Sequence, residues 1–240
     1  MSRRLRPRSS TRLLGMAAGV FFSTLALAWP TLDEGLNALC RGVHGSAACV
    51  DKVERFQLDK KVRGVARAGP RLTIRIASGR RITLVDRDPE SPGGVSYRYM
   101  QYLPSIGFHL VHVHYYEETE MLMVSHVDGG RYFIPDVPRA SPDRTVVAVV
   151  SASEAFKLNG VFLFHLREGT LATIFWHEPE EYALYSFSKW LDDHSIALRK
   201  LVYADQAVCP GFRFMKLDVV LSRRQGPWKF EVDRSKPHCE

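Results

Sequence analysis

From Val62 onward, apolar and polar residues alternate over stretches of four to eight, and the alternation stops at clusters of Gly, Pro, Asn and Asp. Period-two alternation between such breaks is the pattern of half-buried strands joined by tight turns. Residues 71–76 and 81–85 alternate around Ala77-Ser78-Gly79-Arg80 and predict a β-hairpin. Residues 86–94 are loop. Residues 108–116 and 121–126 predict a second hairpin turning at 117–120, and Asp128-Gly129-Gly130 leads into 131–134. Further strands are predicted at 146–151, 161–166, 170–176, 196–202, 212–221 and 228–232. Roughly ten short strands at regular spacing predict a mainly β fold, an antiparallel meander closed as a sandwich, barrel or propeller. Residues 31–61 differ. Leu36, Leu39, Val43, Val50, Val53 and Leu58 recur at helical spacing with a break at 42–46, which predicts a short N-terminal helical segment of two helices.

The start of the chain changes the picture. Arg3, Arg4, Arg6, Arg8 and Arg12 precede an apolar run over 13–27, and Ala26-Leu27-Ala28 stands ahead of Trp29-Pro30. Charged, apolar and small-residue regions in that order are expected of a secretory signal peptide. The rival is a retained anchor, for which this run is short against a hydrocarbon core ~30 Å thick. No Cys follows the apolar run, which argues against a lipoprotein, and Arg6 occupies a position where a twin-arginine signal wants an apolar residue. The expected plan is therefore a signal peptide over 1–28, a helical segment over 29–61 and a β-rich domain over 62–240, in the periplasm or secreted. The whole chain carries +7, but residues 1–28 hold five Arg and no acid. The remainder has 28 basic against 26 acidic residues, or +2. The basicity lies mostly in the leader, so it gives no reason to expect nucleic-acid binding.

All four cysteines, Cys40, Cys49, Cys209 and Cys239, lie after the leader. An even count in an exported chain points to disulfides, and four cysteines allow three connectivities. Pairing of sequence neighbours, Cys40–Cys49 and Cys209–Cys239, is the favoured one; a crossed pairing would tie the N-terminal segment to the last strands. No C-x-x-C spacing suggests a metal site.

Two turns carry a resemblance. Ser141-Pro142-Asp143-Arg144 precedes an apolar strand, and Trp190-Leu191-Asp192-Asp193-His194-Ser195 leads into Ile196-Ala197-Leu198. Both resemble the Ser-Pro-Asp turn of β-propeller repeats of the TolB or WD40 kind, with Arg144 and Asp193 where that turn has Gly. Asp143 and Asp192 stand 49 residues apart, close to a blade period of ~40–50. A Tyr-rich hairpin followed by such a turn is similar to bacterial exported proteins without an assigned function. The resemblance spans about residues 131–205 and implies a propeller-like meander that binds rather than catalyses.

Chemistry-bearing residues form no recognised motif. Among His109, His112, His114 and His126, strand parity puts His112 and His114 on one face, as a two-ligand start of a zinc site, and His109 on the other. Symmetric closure over 117–120 would set His114 opposite Met123 and His112 opposite Ser125, with His126 facing away beside Val111 and Val113. The bland reading is a half-exposed strand face. His177-Glu178-Pro179-Glu180-Glu181 lacks the second His of H-E-x-x-H, and Pro179 would break the helix such a site needs. Asp86-Arg87-Asp88-Pro89-Glu90 lacks the oxygen spacing of a calcium loop, and Glu117, Glu118 and Glu120 read as a solvated hairpin tip. No nucleophile elbow, P-loop or papain-type Cys is present.

The aromatics Tyr97, Tyr99, Tyr102, Tyr116, Trp176 and Trp190 could line a carbohydrate or peptide groove, against the reading of ordinary sheet packing. Tyr115, Tyr182 and Tyr185 add to their number. The expected protein is an exported, β-rich binding or interaction domain with no cofactor. Its partner would be another exported or envelope protein, not nucleic acid, with no stable membrane span once the leader is removed. The rivals are a hydrolase with a non-local site at the His112/His114 strand, and an inhibitor or immunity-type protein of another exported protein.

Overall fold

The computed structural model describes residues 2–4, 39–43, 46–60, 62, 64–88, 91–116, 118–154, 158–224, 226–231 and 237–240. The cleavage site and residues 31–38 of the expected helical segment lie outside them. The described chain is mainly β, in four sheets whose strands run antiparallel and in sequence order apart from β1 and β17. The first sheet is β2(Val65–Ala68), β3(Arg71–Arg75) and β4(Arg81–Val85). The second is β5(Val95–Leu103), β6(Phe108–Tyr115), β7(Thr119–Ser125) and β8(Arg131–Ile134), with β1(Ser2–Arg4) parallel along the outer side of β8. The third is β9(Pro138–Ala140), β10(Val146–Ser151), β11(Gly160–Arg167) and β12(Thr170–His177). The fourth is β13(Ala183–Asp192), β14(Ser195–Tyr203), β15(Phe214–Ser222) and β16(Lys229–Glu231), with β17(His238–Cys239) beside β15. One described helix, α1(Ser46–Asp59), precedes them.

The sheets stack face to face in chain order, and three apolar cores separate them. Leu72, Ile74, Ile82 and Leu84 of the first sheet meet Val111, Val113, Leu122 and Val124 of the second. The opposite face of the second, with Leu110, Met121 and Met123, meets Val147, Val149, Phe162 and Phe164 of the third, and Val50 and Val53 of α1 join this core. Val146, Ala148, Val161 and Leu163 on the third sheet's other face meet Ile196, Leu198, Leu221 and Trp228. The two inner sheets are thus buried on both faces. That is why β10 and the first half of β11 read as unbroken apolar runs, while β3 and β4 alternate strictly.

Both expected disulfides are present, Cys40–Cys49 with Cα atoms 5.2 Å apart and Cys209–Cys239 with 5.6 Å. The second hairpin departs from symmetric closure over 117–120: His114 pairs with Thr119 and His112 with Met121. The Tyr115 N–H donates to the Glu118 carbonyl at 2.8 Å and closes the turn at once. The pairing slips by an even number of residues, so the faces assigned by parity survive.

The two aspartates of the propeller-like turns do the same work. Asp143 Oδ1 accepts from the Thr145 N–H at 3.0 Å, and Asp192 Oδ1 from the His194 N–H at 2.8 Å. Ser141 and Ser195 hydroxyls donate to the same carboxylates. The turns meet, since the Asp143 N–H donates to Asp193 Oδ1 at 2.8 Å. Arg144 takes the left-handed φ of 62° that a glycine would favour there.

A set of ion pairs fixes α1 and the first sheet to the second. Glu54 accepts from the Arg67 guanidinium at 2.9 Å and from the Tyr99 N–H at 2.8 Å. Asp86 bridges Arg67 at 3.2 Å and Arg98 at 2.9 Å, and takes the Tyr97 N–H. Arg98 also reaches Asp51 at 2.5 Å. Burial opposes the charge on Arg98, but the carboxylates of Asp51 and Asp86 outweigh it and hold its pKa above the ordinary value.

Candidate binding surface

The first and fourth sheets each turn one face away from the stack. On the first, Arg71, Thr73 and Arg75 stand beside Val85, Thr83 and Arg81, a face of charge and hydroxyls. On the fourth, the register places Leu184 beside Leu201, Ala197 beside Val220 and Tyr203 beside Phe214, all turned away from the Ile196–Leu198–Leu221 core. Arg199 and Asp218 form a loose, exposed pair among them at 3.9 Å.

At one end of this face the side chains gather into an aromatic platform. Tyr203 and Phe214 stack with centroids 5.5 Å apart, and Tyr182 lies 4.5 Å from Tyr203. The Arg213 guanidinium sits 5.1 Å from the Phe214 centroid. The Tyr182 hydroxyl donates to Glu154 at 2.5 Å; burial first, then this carboxylate, push its pKa up to about 12, so it stays a donor at neutral pH. Tyr203 is 54% exposed, and Val208 and Phe212, in the loop between β14 and β15, are 51% and 47% exposed.

The loop that presents Val208 and Phe212 is built, not slack. Asp205 accepts the Ala207 N–H on its side chain at 2.9 Å and the Cys209 N–H on its carbonyl at 2.7 Å. Gln206 donates to the Phe212 carbonyl at 2.9 Å and accepts from the Gly211 N–H at 3.1 Å. The Cys209–Cys239 bond ties the loop to β17, and Lys216 pairs with Glu240 beside it. An apolar surface already fixed in place loses little conformational freedom when something covers it.

A second constellation lies at the seam of the first two sheets. His109 is 2% exposed on β6; its Nδ1 lies 3.0 Å from the Tyr99 hydroxyl and its Nε2 3.1 Å from His126 Nδ1. Tyr102 packs on both rings, with centroids 4.8 Å from His109 and 5.5 Å from His126. Burial, then the neighbouring His126, lowers the His109 pKa to about 4.

The residues singled out from sequence are dispersed. His112 is buried on the α1 side of β6, and half-buried His114 shares its face. Among the described residues, no three or more His, Cys, Asp or Glu side chains converge as a metal site. Asp86 belongs to the ion-pair set above. Tyr97, Tyr99 and Tyr102 lie on β5, with Tyr99 wholly buried, while Tyr116 is exposed past the end of β6. Trp176 packs on Phe162 in the third sheet and donates to Glu178 at 2.7 Å. Trp190 donates to the Arg139 carbonyl at 3.3 Å and packs on the third core. These six aromatics therefore serve three sheets. Sequence reasoning did not single out Tyr203, Phe212 or Phe214, whose signal is the apolar residues on both parities of β14 and β15. Compared with known proteins, the chain matches no protein-family model and has no significantly similar curated relative.

Proposed function

We propose that this chain is an exported binding domain that engages another exported or envelope protein through the outer face of its fourth sheet, centred on Tyr203. The observation that carries this reading is the rigid aromatic platform of Tyr182, Tyr203 and Phe214 with Phe212 and Val208 in the loop between β14 and β15. Tyr and Phe on a preorganised surface give large contact area at low entropic cost, the composition found at the centres of protein interfaces. Two disulfides are in keeping with an oxidising compartment. Four successive meanders stacked in chain order support the propeller-like reading of the Ser-Pro-Asp turns, an architecture whose surfaces commonly bind. An inhibitor or immunity-type protein would be one case of this function.

The test is capture from the exported fraction with wild type, Tyr203→Ser and Arg81→Ser. A partner held by wild type and Arg81→Ser but lost with Tyr203→Ser, at unchanged melting temperature, supports the platform. A partner retained by Tyr203→Ser places the interface elsewhere.

A further inference from the structure

The seam between the first two sheets passes through His126. Its N–H donates to the Gly107 carbonyl at 2.9 Å, and its carbonyl accepts from the Ala77 N–H at 2.8 Å. Ala77 belongs to the turn between β3 and β4, so His126 holds two turns by its backbone and His109 by its ring. Two residues on, the Asp128 carbonyl accepts from Arg80 of the same turn. The groups facing the pair are Tyr99 and Tyr102 from β5 and Val124 from β7; Arg80 and Asp128 are the charged side chains of the turns it joins. The ring partners are those tyrosines and each other.

The neutral pair has one arrangement that satisfies every buried group. The Tyr99 O–H donates to His109 Nδ1, His109 Nε2–H donates to His126 Nδ1, and His126 Nε2–H points outward. A first added proton keeps the nitrogen–nitrogen bond but reverses Tyr99 into an acceptor, and its own buried hydroxyl proton loses its partner. A second added proton sets N–H against N–H across 3.1 Å, and the bond cannot persist.

We propose that the His109–His126 pair is an acid-operated catch, whose protonation parts the two rings and frees the β3–β4 turn from the segment that follows β7. The sign follows from burial: folded His109 takes up a proton less readily than in the unfolded chain, so acid favours the opened form. The catch acts at the opposite end of the stack from the Tyr203 platform. It does not rest on the proposed function.

Hydrogen exchange of the intact protein, corrected for intrinsic rates, tests this at neutral pH and near pH 4. In wild type, peptides spanning 77–80 and 126–130 should lose protection by roughly tenfold or more on acidification. In His126→Asn, whose carboxamide can still bond His109 but does not titrate, the loss should be largely absent. Wild-type peptides that keep their protection near pH 4, or equal opening in His126→Asn, overturn the proposal. Should that variant not fold, an NMR titration of wild type decides: the His109 ring and the Ala77 amide must shift together, and movement of one without the other overturns it.

Discussion

The two ends of the stack solve the same problem differently. Each terminal sheet buries one face and must do something with the other. On the first sheet the outward positions of β3 and β4 are Arg71, Thr73, Arg75, Arg81, Thr83 and the exposed Val85, with Arg75 directly opposite Arg81. Like charges facing across a ladder weaken it, and they are tolerable where water screens them. On the fourth sheet the outward positions include Leu184, Leu201, Val220, Tyr203 and Phe214. The first face is charged and hydroxylated apart from Val85, whereas the fourth sets Leu184, Leu201, Val220, Tyr203 and Phe214 among Arg199, Lys216 and Asp218. The proposed interaction surface rests on this difference.

The comparison can be broken at either end. The largest effect should come from Glu54→Ala. It removes the acceptor shared by Arg67 and the Tyr99 N–H, leaving a buried amide without its partner and a mostly buried guanidinium with Asp86 but not Glu54 to balance it. A loss of about 3–5 kcal/mol is expected in urea unfolding, with the first sheet the part that loosens. Next is the clip at the other end. Cys209→Ser with Cys239→Ser opens a loop of 30 residues and should lower stability by about 3–4 kcal/mol, more than the about 2.5 kcal/mol expected for the nine-residue Cys40–Cys49 loop. Platform binding should fall with the first pair and not with the second. The smallest effect sharpens the contrast most. Tyr203→Ser and Arg81→Ser should each change stability by less than about 1 kcal/mol, since both side chains are exposed. A larger loss for Tyr203→Ser would show that the platform serves folding rather than binding.

Much of this fold is legible in the sequence, and the failures share a cause. The β3–β4 hairpin, β10 and β11 stand out because their patterns are clean, alternating or unbroken. β5 and β13 do not. The pairing of β5 with β6 shifts between Tyr99 and Gln101, and that of β13 with β14 shifts twice, between Phe187 and Lys189 and between Trp190 and Asp192. Each bulge inserts a residue that reverses the alternation, so a period-two reading loses the strand midway. β9 is only three residues long. Spacing favours the neighbour pairing of the cysteines but leaves three connectivities open, and the structure selects Cys40–Cys49 and Cys209–Cys239. Parity put His109 and His126 on one face, but only the structure shows that their rings meet. The platform was not readable, because Tyr182, Tyr203 and Phe214 become neighbours through the pairing of β13, β14 and β15, and no local spacing records that.

One feature of the topology bears on how the chain reaches this state. No sheet has to await a distant strand, apart from β1, which lies along β8, and β17, which returns to β15. Loops that close early and short cost little entropy and form quickly. Each layer can therefore complete as its last strand is made and then serve as the floor for the next. Of the four, the layer carrying Tyr203 and Phe214 forms last, which shortens the time those rings spend beside unpaired strands.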